Sequence, residues 1–102
     1  MVGVTSISLF ELLSPIFHRR LLKREKAVRA FARESQFLAL DSAATEEASK
    51  IMGALLRIGK PINALDVLIS GIAVANGADE IVTSDKDFQT IEKVANISVT
   101  MI

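Results

Sequence analysis

The stretch from Asn63 to Phe88 reads NALDVLISGIAVANGADEIVTSDKDF, and it predicts a buried helix, a glycine stop, a short strand and an acidic loop. Asn63 is a favourable N-cap residue. Residues 64–75 are apolar except for Asp66 and one serine, which is typical of a helix packed on most sides. The Asn-Gly pair that follows is a common helix stop.

The second half of this stretch predicts a strand that ends in acids. Residues 80–83 have the β-branched content of a short strand, and a polar turn then leads into Phe88. Asp66 therefore lies in the first turn of a helix, and Asp85 lies just past the end of a strand. In a parallel α/β sheet these two places share one edge, where ligand sites form.

The rest of the chain alternates in the same way. Upstream of residue 36, a Ser8–Glu11 capping box opens a helix that Pro15 either interrupts or restarts as a fresh first turn. The residues after Pro15 predict an amphipathic helix with a basic outer face. The other predicted elements are strands at 2–5, 37–40 and 97–101, a helix with Ala48, Ile51, Met52, Leu55 and Ile58 on one stripe, and a short helix at 88–94. This order predicts an α/β fold with a mostly parallel sheet, and the continuous apolar strands fit a sheet buried on both faces.

Composition limits the kinds of site that the chain can hold. With 102 residues it is expected to be a single domain spanning 1–102. It has no cysteine and one histidine, so any metal must be held by oxygen ligands. The 12 basic and 12 acidic side chains cancel, which argues against strong non-specific nucleic-acid binding. No apolar run is long enough for a membrane span, and we expect a cytoplasmic protein without membrane contact.

Carboxylates follow the predicted strands and begin the predicted helices at one edge of the sheet. They are Glu11, Asp66, Asp85 and Asp87. Clustered carboxylates repel one another unless a divalent cation supplies positive charge, and oxygen-only ligands suit Mg²⁺ or Mn²⁺. Taken singly, each acid could instead cap a helix. Taken together they favour a metal site, because Asp66 is an acid in an otherwise apolar helix.

Three motifs in this order resemble the successive motifs of PIN-domain proteins, especially the small VapC-type toxins of prokaryotic toxin-antitoxin pairs. They are SISLFELL around Glu11, ALDVLISGIAVANG around Asp66 and IVTSDKDF around Asp85. The resemblance covers nearly the whole chain. It implies a three-layer fold and a metal-dependent ribonuclease in which Glu11, Asp66 and Asp85 bind Mg²⁺ or Mn²⁺ and Asp87 is an outer acid.

The resemblance also implies smaller roles and partners. Thr83 or Ser84 would orient the carboxylates, and Asn63 would shape the rim of the site. The substrate would be RNA, and the implied protein partners are an antitoxin and further copies of the chain, as a homodimer or other homo-oligomer.

The sequence departs from the family pattern at its start. PIN domains begin with a strand that ends in an aspartate, and this strand is the central one of the sheet. Here the first aspartate is Asp41, in a different context. We therefore expect an N-terminally shortened PIN domain that re-pairs its strands, borrows an element from another copy, or is a fragment of a longer product.

Two other functions stay open beside the ribonuclease. The first is a degenerate, catalytically inactive PIN domain that acts as a protein-interaction or dimerisation module. The second is a receiver-like domain whose acids accept a phosphoryl group, and it is disfavoured because no lysine suitably follows a late strand.

A basic run in the first third of the chain could hold an RNA backbone. Its members are Arg19, Arg20, Lys23, Arg24, Lys26, Arg29 and Arg33. We favour a solvated helix face, because charged outer faces are usual and no aromatic residue is interleaved for base stacking.

Overall fold

The computed structural model describes residues 2–102, which form an α/β fold with short parallel strands and five helices in that part of the chain. The elements are β1 (Gly3–Thr5), α1 (Ser6–Arg19), α2 (Leu22–Glu34), β2 (Gln36–Leu38), α3 (Ser42–Arg57), α4 (Ala64–Ala75), β3 (Glu80–Thr83), α5 (Asp87–Glu92) and β4 (Ser98–Met101). They fall into two compact units, the first ending at Ala39 and the second running Leu40–Ile102. The α/β class and the parallel strands predicted from the sequence are confirmed.

The first unit contains two helices, α1 and α2, which connect the two paired parallel strands β1 and β2 along the chain. β1 pairs with β2 in the register Gly3↔Gln36, Val4↔Phe37 and Thr5↔Leu38. α1 and α2 pack against each other, and α2 also contacts β2. Val4 and Ile16 are the buried apolar side chains of this unit.

The start of α1 differs from the predicted Ser8–Glu11 capping box. The N-cap is Thr5, whose side-chain oxygen accepts a hydrogen bond of 2.9 Å from the backbone N–H of Ser8. The helix therefore begins immediately after the three-residue strand. Glu11 lies in the second turn of α1 rather than at the strand-to-helix junction, and it is exposed.

The basic helix after Pro15 also differs from its prediction. Pro15 lies inside α1, and the chain breaks only at Arg20, which adopts a left-handed φ of 56°. The break therefore lies at Arg20 and not at Pro15, so Phe17 belongs to α1 and most of the predicted basic helix forms α2. No glycine marks this break, so composition did not reveal it.

The second unit is built on the contact between α3 and α4. Asp41 caps α3 by accepting the N–H of Ala44, and Asn63 caps α4 by accepting the N–H of Leu65, as predicted for Asn63. At the crossing, the Cα of Gly71 lies so close to Ala48 that no side chain would fit between them. Around this contact the core gathers Ala48, Ile51, Leu55, Val67, Phe88 and Ile91.

The strands of the second unit form their own parallel pair. β3 pairs with β4 from Glu80↔Ser98 to Thr83↔Met101. Among residues 2–102 the strands thus form two two-stranded sheets, β1–β2 and β3–β4, rather than one continuous sheet. Of the three alternatives for the missing strand, re-pairing across the gap is not observed in this part of the chain, and the other two stay predictions.

No helix within residues 2–102 is long and apolar enough to cross a membrane.

Candidate metal centre

Three aspartates of the second unit converge at one point. Asp66, Asp85 and Asp87 each place one carboxylate oxygen within 4.8 Å of the other two. They arrive from two directions, since Asp66 lies in the first turn of α4 and the other two flank the start of α5. The predicted meeting of a helix start and a strand end is thus observed for these residues.

Asp66 is held firmly because its helix is buried. The residue is 8% exposed, and its neighbours on α4, Val67, Ser70 and Gly71, are buried as well. The hydroxyl of buried Ser70 donates a 2.9 Å hydrogen bond to the backbone carbonyl of Asp66, so this hydroxyl has a hydrogen-bond partner within the helix. A carboxylate brought into such an environment needs compensating charge or hydrogen bonds.

Asp85 is positioned by a tight turn at the end of β3. The Thr83 hydroxyl accepts the N–H of Asp85 at 3.0 Å, and one carboxylate oxygen of Asp85 accepts the N–H of Asp87 at 2.9 Å. Buried Phe88 anchors the helix that follows. Thr83 therefore shapes the backbone that carries the acids.

The same turn agrees with the alternative in which Asp85 caps the helix that follows it. One of its oxygens stabilises the entry to α5, as a helix cap would. A carboxylate has two oxygens and about four acceptor positions, so this bond leaves capacity for a cation. Capping and metal binding are therefore compatible in the same side chain.

Asp87 is the third member of the cluster. The resemblance gave it an outer role, which stays a prediction, and one oxygen of its carboxylate lies within 4.8 Å of those of Asp66 and Asp85. A signal was present in the sequence, because the two acids at 85 and 87 flank one residue at a strand-to-helix turn. Such a turn can aim both side chains to the same side.

Glu11 lies in the first unit, on an exposed turn of α1, and is not one of the three clustered acids. Asn63 caps α4 three residues before Asp66 and makes its hydrogen bond to the backbone. Ser84 is exposed in the turn between Thr83 and Asp85.

The donor set fits a hard divalent cation. Three carboxylate oxygens within 4.8 Å of one another bring negative charges together at one point. Oxygen ligands suit hard divalent cations better than softer metals. The chemistry of the cluster therefore agrees with the predicted metal class.

A surface hollow of about 330 Å³ lies at the other end of the β3–β4 pair. It is lined by Val74, Gly77, Ala78, Asp79, Asn96, Ile97 and Ser98. None of the three clustered aspartates borders it, so it is separate from the candidate metal centre.

Comparison with known proteins gives one family. A family model described as PIN domain matches residues 1–94. No match to a curated protein was found.

Solved structures of VapBC toxin-antitoxin systems resemble the chain. VapBC2 from Rickettsia felis, bound to a DNA fragment from its promoter, aligns with a TM-score of 0.85 and 20% identity over 100% of this chain and 75% of the other. VapBC-5 from Mycobacterium tuberculosis aligns with a TM-score of 0.86 and 18% identity, over 99% of this chain and 82% of the other. DNA-bound VapBC from Salmonella typhimurium aligns with a TM-score of 0.79 and 25% identity, over 97% of this chain and 74% of the other.

Proposed function

The chain belongs to the PIN-domain family, and from this we propose that it is a divalent-metal-dependent ribonuclease of the VapC toxin type. The observation that carries the proposal is the convergence of Asp66, Asp85 and Asp87 from separate elements. Family membership alone would not distinguish an active from an inactive member.

The three aspartates would hold Mg²⁺ or Mn²⁺. Such an ion supplies Lewis-acid chemistry for hydrolysis of a phosphodiester. Burial of Asp66 fixes one ligand against the core, while the Thr83 and Asp85 turn fixes the other two. Preorganised ligands reduce the reorganisation needed when the cation and an RNA phosphate bind.

Glu11 enters the proposal through the family resemblance alone. We assign it to the same reaction as a fourth acid. A Glu11→Gln variant that keeps full RNA cleavage and full Mn²⁺ affinity would remove Glu11 from the site.

The proposed protein partner is an antitoxin. The structural relatives are toxins in VapBC assemblies, and α1 exposes several large apolar side chains, Phe10, Leu12 and Phe17. These side chains also favour the alternative function, a degenerate PIN domain that binds a protein and cleaves nothing.

Metal titration distinguishes the two functions. We expect Mn²⁺ to raise the thermal stability of the whole chain and to support cleavage of single-stranded RNA. At a concentration 100 times the dissociation constant, the ion should add about 2.7 kcal/mol to the free energy of unfolding. Thermal unfolding and a gel-based cleavage assay measure the two effects.

Asp66→Asn and Asp85→Asn should abolish both effects, whereas Asp79→Asn should keep both. Asp79 is an exposed aspartate of the same unit outside the cluster, so it controls for loss of one negative charge. Asp85→Asn covers the case in which the buried Asp66 variant fails to fold. Stabilisation without cleavage, or neither effect, would favour the inactive module.

A further inference from the structure

Charge is divided unequally between the two compact units. The first unit contains seven basic and three acidic side chains, and the second contains five basic and nine acidic ones. The overall charge of zero therefore hides a net +4 on one unit and −4 on the other. An even composition had argued against polyanion binding, but the distribution supports it locally.

Most of the positive charge lies on or beside α2. This helix has no buried residue, and all seven basic side chains between Arg19 and Arg33 are exposed. Its half-buried positions include Glu25, Val28 and Ala32, which share one face at helical spacing. α2 therefore packs along a narrow stripe and turns the rest of its circumference to solvent.

The outward face of α2 carries cations without acidic partners. Lys23, Lys26 and Arg33 share this face, opposite the half-buried stripe, with alanines at 27 and 30 between them. Of the described basic residues in this segment, only Arg29 forms an ion pair, with the Glu25 carboxylate at 2.9 Å. The other cations are available to an external anion.

Aromatic rings accompany these charges, contrary to the sequence expectation. Phe17 is 56% exposed and Phe31 is 49% exposed. The guanidinium carbon of Arg29 lies 5.9 Å from the centre of the Phe17 ring, so the α1–α2 pair combines a cation with an exposed ring. Exposed rings beside cations are the combination on which unpaired bases stack in single-strand binding surfaces.

From these observations we infer that the solvent-exposed surface of α2, with Lys23, Lys26 and Arg33 at its centre and Phe17 and Phe31 at its sides, binds single-stranded RNA. The cations contact successive phosphates along a helix about 20 Å long. The rings contact bases. The inference relies on the proposed function only for the choice of RNA, since none of the clustered aspartates takes part.

The test is binding of a fluorescein-labelled 20-nucleotide single-stranded RNA to the whole chain, followed by anisotropy in EDTA at several salt concentrations. We expect a Lys23→Gln, Lys26→Gln, Arg33→Gln triple variant to bind about tenfold or more weakly at low salt. The slope of log affinity against log salt concentration is negative, and it should become shallower by about 2, because three phosphate contacts are lost at roughly 0.7 each.

A charge-matched control separates the surface from net charge. Lys50→Gln, Lys60→Gln and Lys93→Gln together remove the same three charges from exposed positions of the second unit. This control should keep the parent affinity and salt slope. Equal weakening in both triple variants, or no weakening in the first, would overturn the assignment.

A conservative change tests the role of the rings. Phe31→Leu keeps an apolar side chain but removes the stacking surface, and it should weaken RNA binding about fivefold or more. A polyglutamate peptide of matched charge should bind the parent chain more weakly than the RNA does, because it contacts the cations but has no bases to stack on the rings. RNA affinity unchanged in Phe31→Leu would overturn the stacking role.

EDTA keeps this test independent of the proposed catalysis. Loss of RNA binding in the first triple variant with Mn²⁺ stabilisation intact would place binding and metal in different parts of the chain, as inferred. Absence of Mn²⁺ effects alone would count against the ribonuclease and leave the RNA surface standing.

Discussion

Gly71 sets the distance between α3 and α4. A Cβ atom at this position would lie 2.5 Å from the Ala48 Cβ and 2.7 Å from the Ala44 carbonyl oxygen. Backbone atoms cannot move aside as the end of a flexible side chain can. The two helices could accept a methyl group here only by separating, which would loosen the helix that carries Asp66.

We predict that Gly71→Ala destabilises the chain by about 1–3 kcal/mol, the usual cost of overpacking a core. Urea unfolding followed by circular dichroism measures the change. Helix propensity opposes this effect, since alanine is favoured over glycine within a helix. A neutral or stabilising result would show that the α3–α4 contact is looser than the structure indicates.

Gly53→Ala provides the matched control. Gly53 is also a glycine inside a helix, but its added Cβ would meet nothing closer than the end of the Arg57 side chain at 4.0 Å. Only the helix propensity of the residue changes in this variant, and we expect the free energy of unfolding to rise by about 0.5–1 kcal/mol. Opposite signs for two identical substitutions would isolate the packing term.

Single residues were predictable where their local chemistry is self-contained. Asn63 was recognised as a cap because an N-cap needs only its own side chain and the next turn. The close approach at Gly71 was not recognised, because it depends on Ala48, 23 positions away in sequence. The approach of Asp87 to Asp66 likewise joins residues that are far apart in sequence, and the outer role given to Asp87 stays a prediction.

At the scale of elements, the entry to α1 shows how a cap joins a strand to a helix. Thr5 is the last residue of β1 and also the N-cap of α1, and it is 7% exposed. Its oxygen accepts the N–H of Ser8, while its own hydroxyl donates to the Ser8 hydroxyl at 3.0 Å. The strand and the helix therefore share one residue.

We predict that Thr5→Ala lowers the free energy of unfolding by about 1 kcal/mol, the typical cost of losing an N-cap. Ser8→Ala should change it by less than about 0.5 kcal/mol, because the Thr5 oxygen can still accept the Ser8 N–H. The capping box predicted from the sequence requires the opposite order. Denaturant unfolding of the two variants decides between them.

Elements with a strong pattern were predicted closely, and short ones were not. The apolar run and its caps defined α4, and β-branched residues defined β3. β1 and β2 have three residues each, too few for periodicity to fix their ends. The break at Arg20 depends on a residue with a left-handed backbone conformation, and the sequence has no glycine at this position to indicate it.

At the scale of the whole molecule, strand pairing was the feature least accessible from sequence. Alternation of elements predicted parallel strands, which are observed, but pairing partners depend on contacts between distant segments. Among residues 2–102 each sheet stops at two strands. Two-stranded sheets are marginal unless helices or further strands cover them.

β3 retains an edge that could accept another strand. Hydrogen bonds at Asp79 and Thr83 show that the odd-numbered residues of this segment face β4, so the N–H and C=O of Val82 point to the other side. The Val82 side chain is 55% exposed, although valine in a parallel sheet is usually buried. Open edges with apolar side chains favour association with another chain.

We predict that the chain self-associates and that Val82→Lys reduces the association, because a lysine at a strand edge opposes pairing. Size-exclusion chromatography with light scattering over a range of concentrations measures the mass. Leu56→Lys is the control, since Leu56 is similarly exposed at 59% but lies on a helix of the same unit. Association lost in Leu56→Lys and kept in Val82→Lys would locate the contact on α3, and a monomer at all concentrations would remove the self-association prediction altogether.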